Sequence, residues 1–147
     1  MRLAPLALGV TLGVVVLPGA AAGQTINATR LAILQAEDRR AASAADLATL
    51  RMGARSLDPQ TVRLAIRALG GAKAPAARDA LLHLTEGGRT LLGREKLPPK
   101  SPVLLAALRA LATGGTNTPA VRRVLARAAA SPDPDIRNAT TSLPEQP

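Results

Sequence analysis

Five prolines stand in this chain where a helix would begin, and four of them follow a residue able to cap it. These are Asp58-Pro59, Ser101-Pro102, Thr118-Pro119 and Asp133-Pro134, with Ala74-Pro75 as the fifth. Proline has no N–H and a φ fixed near the helical value, so it suits the first turn, and a preceding Ser, Thr or Asp accepts a hydrogen bond from an otherwise unpaired amide. Pro59 and Pro102 stand 43 residues apart and Pro75 and Pro119 stand 44 apart, within the roughly 40–47-residue period of repeats built from helix pairs. The spacing predicts an all-α chain of stacked helical hairpins.

The segment after Asp58-Pro59 is the clearest unit. Val62, Ile66 and Leu69 recur at i, i+4 and i+7 with Ala65 beside them, while Arg63 and Arg67 occupy a neighbouring polar stripe. Gly70-Gly71 ends that helix, and Pro75 opens a partner whose Ala77, Leu81, Leu82 and Leu84 supply the buried face before Gly87-Gly88. Upstream, residues 26–40 predict a helix with Ile26, Leu31, Ile33 and Leu34 on one broad face and Asn27 as its cap. Ser43-Ala44-Ala45-Asp46 then reads as a capping box opening a helix over 44–55. Downstream, helices are expected over 101–112 and 118–130, with 85–100 a long connection holding one short helical turn. After Asp133-Pro134, Ile136, Ala139 and Leu143 make an apolar stripe with no helix following to cover it, so this end is expected to be the least stable part or to self-associate.

Asp58-Pro59-Gln60-Thr61-Val62-Arg63, followed by Ala68-Leu69-Gly70, Pro75-Ala76-Ala77 and Ala80-Leu81-Leu82, resembles a bacterial HEAT repeat. That pattern has Asp-Pro before the first helix, Val-Arg in its first turn, Ala-Leu-Gly at its end and a Leu-rich second helix. Asp133-Pro134-Asp135-Ile136-Arg137 resembles the same opening. The resemblance implies a short HEAT-like α-solenoid of antiparallel helix pairs over residues 24–147, working as a scaffold for protein–protein interaction with no catalysis of its own. A second resemblance lies in the run from Ala32 to Arg40, which is similar to the N-terminal region of exported proteins that join HEAT-like repeats to a cyclophilin-type peptidyl-prolyl isomerase domain. The isomerase site is lined by aromatic side chains, and this sequence has no Phe, Trp or Tyr, so that reading makes the chain the repeat portion of such an enzyme.

The first 23 residues have the order of a secretory leader. Arg2 precedes an apolar run over 3–17, and Pro18-Gly19-Ala20-Ala21-Ala22-Gly23 follows with small residues at the A-x-A positions Ala20 and Ala22. Export to a periplasmic or extracellular location is expected, with an uncleaved anchor over 3–22 as the alternative and the one route to a membrane. Neither Cys nor any aromatic residue occurs, so an exported chain of this kind has no disulfide and must build its core from Leu, Ile, Val, Met and Ala.

The net charge of +9 rests on 16 Arg against 3 Lys. A basic adaptor for anionic envelope components is one consequence. Specific nucleic-acid binding is not expected, since the cations are scattered and no aromatic platform exists for stacking on bases. The candidate interaction face comprises Arg63 and Arg67 on one helix and Arg122, Arg123 and Arg127 on another, turned away from Val121, Val124, Leu125 and Ala128. His83, the single histidine, stands between Leu82 and Leu84 and has no Cys to join it in a metal site. The acidic pairs Glu37-Asp38 and Asp133/Asp135 are explained by neighbouring Arg39-Arg40 and by a helix start. No phosphate-binding loop or nucleophile motif is present, and no metal, cofactor or catalytic residue is expected. The partner is a protein whose identity the sequence does not give.

Overall fold

A computed structural model describes residues 18–88, 93–114 and 117–141, with side chains from residue 23 onward. The leader run over 3–17, Leu143 and the middle of the long connection lie outside the described residues. Among the described residues seven helices follow one another: α1 Pro18–Asp38, α2 Ala44–Gly53, α3 Pro59–Gly71, α4 Pro75–Thr85, α5 Pro102–Thr113, α6 Pro119–Ala129 and α7 Pro134–Asn138. The chain is all-α, with no β-strand among the described residues.

The prolines do what their chemistry dictates. Each of α3 to α7 carries proline in its first turn, and the side chains of Asp58, Ser101, Thr118 and Asp133 accept from the amides of Thr61, Leu104, Val121 and Asp135. Ala74 has no oxygen to offer and makes no such bond. Ser43 and Asp46 form the reciprocal capping box at the start of α2. The first helix corrects the expected boundary. Its described part already runs from Pro18, so Asn27 lies inside it and caps nothing. Arg40 and Ala41 turn the chain into α2 with φ of 54° and 50°, and the Ala41 amide reaches back to the Ala36 carbonyl at 2.8 Å.

Odd-numbered helices pack in series, α1 on α3 and α3 on α5, and even-numbered helices do the same, α2 on α4 and α4 on α6. Each helix also packs on its neighbours in sequence, while α1 and α2 touch none of α5, α6 and α7 among the described residues. Ile33, Leu50, Ile66, Leu69, Leu104 and Leu108 form the fully buried centre. Val62, Ala65, Ala77 and Leu81 are buried as the apolar spacing requires, but Leu82 and Leu84 are only half-buried, and Ala80 and Thr85 take the inner positions beside Leu81. With no aromatic ring to fill space, the helices approach closely over small residues. A Cβ on Gly53 would lie 2.5 Å from Ile33 Cδ1 and 3.0 Å from Ala65 Cβ, and one on Gly70 would lie 3.0 Å from Ala110 Cβ on α5.

The carboxyl-terminal stripe is covered from within. Ile136 is 6 % exposed and Ala139 is fully buried, because the short α7 lies against α5 and α6. The unpartnered face expected here is therefore absent at these two residues. The connection before α5 holds no helical turn in its described parts, 86–88 and 93–101.

Candidate functional site

Helix periodicity puts most of the cations outside the core, and the carboxylates then decide which of them stay available. On the odd-numbered helices, Arg30 donates from Nε and Nη2 to the Asp58 carboxylate at 3.2 and 2.8 Å. Arg67 donates to both oxygens of Glu37 at 3.0 and 2.7 Å. Arg39 donates from Nε to Asp46 at 3.1 Å across the α1–α2 turn, and Lys100 lies 3.0 Å from the carboxylates of both Asp133 and Asp135. Glu37 thus pairs with α3 rather than with the arginines that follow it, correcting the local explanation of that acidic pair.

These contacts tune the acids. Asp46 is held down to about 2, first by the Arg39 hydrogen bond and then by that of Ser43. Asp58 is also held down to about 2, first by the Thr61 hydroxyl and then by Arg30. The Asp133 hydrogen bond to Lys100 lowers the carboxyl and raises the ammonium group.

Of the five arginines singled out in the sequence, Arg63 and Arg67 lie on α3 in the odd-numbered series and Arg122, Arg123 and Arg127 on α6 in the even-numbered one. The structure does not gather them into one face. Arg67 is taken up by Glu37, and Arg127 is paired with Glu95 at 3.1 Å. Arg63, Arg122 and Arg123 are exposed, the last two beside Pro119 and Ala126.

Two clefts flank α4 instead. The first, of about 520 Å³, lies between α2 and α4: Arg51, Ala54 and Arg55 form one wall, Asp79, Ala80, His83 and Leu84 the other, and Leu69 of α3 contributes from between. The second, of about 300 Å³, lies between Leu82 and Glu86 of α4 and Arg123, Val124 and Arg127 of α6, with Glu95 at its edge. Arg51 stands in the last turn of α2 and Arg55 two residues past its end, and both line this cleft; Asp79 and His83, four residues apart on α4, share a face.

Arg51 donates only to the Ala76 carbonyl, at 3.3 Å, and neither Arg55 nor Asp79 has a side-chain hydrogen bond or ion pair among the described residues. His83 is exposed and its Nδ1 lies 2.6 Å from Glu86. Sequence reasoning passed over Arg51 and Arg55. The one signal is their i, i+4 spacing within the helix expected over 44–55, and the observed helix ends at Gly53, short of the second arginine.

No cluster of three or more His, Asp or Glu able to hold a metal occurs among the described residues, and no described helix is long and apolar enough to cross a membrane. The first cleft offers two guanidinium groups, an apolar floor and one acceptor, the chemistry of anion recognition beside an apolar contact. No family model, curated protein or solved structure matches the chain.

Proposed function

We propose that this chain is a short HEAT-like α-solenoid, exported from the cell, that binds a segment of another protein along the side formed by α2, α4 and α6. The observation that supports it is the alternation of packing, odd helix on odd and even on even, which leaves one helix series with clefts on both sides of its middle member. Stacked helix pairs build extended binding surfaces in this way. Export is supported by the leader-like order of residues 2–23. Residues 23–28 of α1 are exposed, so cleavage near Ala22 leaves the packed part of the helix intact.

The test is site-specific photo-crosslinking in growing cells. A photoreactive residue placed at Ala48 or Arg123 should trap a discrete protein adduct, and one placed at Gln60 or Arg63 should not. Adducts formed equally from both helix series, or none from the even-numbered one, would overturn the reading. Amino-terminal sequencing of the recovered protein checks export, with a start near Gly23 or Gln24 as the expected result.

A further inference from the structure

The α2–α4 cleft brings two guanidinium groups that have no carboxylate partner to one wall. Six carboxylates are engaged in ion pairs with Arg or Lys, namely Glu37, Asp46, Asp58, Glu95, Asp133 and Asp135, and Glu86 lies against His83. Arg51, at the end of α2, and Arg55, just past it, are outside that set, as are Arg63, Arg122 and Arg123, and the wall opposite the first two carries a single unpaired acid, Asp79. Ala54 of one wall and Ala80 and Leu84 of the other supply the apolar lining, together with Leu69 of α3 between them. A lone guanidinium on open surface is unremarkable, but two on one wall of a cleft beside apolar side chains can hold a carboxylate from both sides while a neighbouring aliphatic side chain is removed from water.

We propose that this cleft is the docking subsite for an acidic, extended peptide segment of the partner protein, with a carboxylate held between Arg51 and Arg55 and an aliphatic side chain set over Leu69 and Leu84. The inference rests on the scaffold reading above and names the chemistry of its partner. A peptide fits better than a small acid because the second cleft continues on the other side of α4, with Arg123 on its far wall. One chain crossing α4 would meet both clefts. Asp79 supplies an acceptor for a main-chain amide of that segment, and its charge sets where along the cleft a carboxylate can sit.

The probe is a fluorescein-labelled peptide, Glu-Glu-Leu-Ala-Glu-Leu-Glu-Glu, titrated against the purified protein by anisotropy, beside its counterpart with Gln for every Glu. The acidic peptide should bind and the Gln peptide should bind at least about tenfold more weakly, the loss expected when charge-assisted pairs worth on the order of 1.4 kcal/mol together are removed. Arg51→Glu/Arg55→Glu should weaken the acidic peptide by a similar factor. Arg63→Glu/Arg109→Glu, which changes net charge equally on the odd-numbered helices, should change it less than about threefold.

Equal losses in the two double variants would mean diffuse attraction to a basic protein and would overturn the proposal, as would no binding of the acidic peptide. Displacement by free glutarate at the peptide's own concentration would assign the cleft to a small acid instead. Should the charge reversal perturb folding by circular dichroism, Arg51→Gln/Arg55→Gln serves with the same expectation. Tight binding of the Gln peptide, untouched by either variant, would defeat the acidic assignment while leaving the even-helix groove and its crosslinking result intact.

Discussion

Arg39 and Asp46 meet across the turn between α1 and α2, where a half-exposed guanidinium covers a carboxylate that is 3 % exposed. The same carboxylate accepts from the Ser43 amide at 3.3 Å, and the Asp46 amide donates to the Ser43 hydroxyl at 3.0 Å. One acidic side chain thereby closes a helix cap and ties it to the preceding helix. Asp58 repeats the arrangement at the next helix start, where it caps α3 and holds Arg30 of α1.

Acid should therefore loosen this protein through two named groups. Asp46 and Asp58 titrate at about 2 in the folded chain against an ordinary 3.8. A depressed folded value means their contribution is complete above about pH 4 and is lost as the pH falls toward about 2. Thermal melts by circular dichroism should show Tm falling through that window. Asp46→Asn and Asp58→Asn should lower Tm at pH 7 and flatten its dependence below pH 4; a double variant with the wild-type slope would remove these acids from the account.

Core and surface leucines should separate cleanly. Leu69 is 1 % exposed and Leu57 fully exposed. Leu69→Ala should destabilise by about 2–5 kcal/mol, and Leu57→Ala should stay within about 0.5 kcal/mol. Urea unfolding followed at 222 nm gives both values.

Two glycines at helix ends should respond with opposite sign. Gly53→Ala gains helix propensity of about 1 kcal/mol, but its methyl would meet Ile33 and Ala65 inside the core, an overpacking that costs about 1–3 kcal/mol. Net destabilisation is expected, partly relieved by Ile33→Val, which deletes the nearest atom. Gly71 has nothing within 4 Å of a built Cβ, so Gly71→Ala should stabilise by about 0.5–1 kcal/mol. Urea midpoints of the three single variants and the Gly53→Ala/Ile33→Val pair decide it.

Much of this architecture could be read before any coordinates. Asp58, Ser101, Thr118 and Asp133 announce their helices because capping is local: the oxygen and the amide it binds lie two or three residues apart. That α1 already includes residues 18–25 was not legible, since Pro18 belonged as readily to a leader's cleavage turn as to a helix. Nor were the pairs Arg30–Asp58 and Arg67–Glu37, which join residues 28 and 30 positions apart. Periodicity tells which side of a helix leaves the core but not which neighbouring helix that side meets. For that reason Arg63 and Arg123 looked equivalent in sequence, and Arg51 and Arg55 went unremarked.

The five-residue α7 is too short to persist by its own hydrogen bonds. It is kept in place by Ile136 and Ala139 inside the core and by Lys100 bridging Asp133 and Asp135. Lys100→Ala should raise amide exchange across α7 by about two- to fivefold, leaving the α3–α4 hairpin unchanged. Exchange rising equally in both would show that α7 opens only with the whole fold.

The serial packing also bears on how the chain acquires its shape. Because α1 and α2 reach no farther than α4 among the described residues, every described helix packs only on helices one or two places away along the chain, and no contact waits for distant ends of the chain to meet. Topologies of that kind fold in microseconds to milliseconds. Under a pulling force applied at its ends, such a stack should give way hairpin by hairpin, each able to re-form on the template of its neighbour.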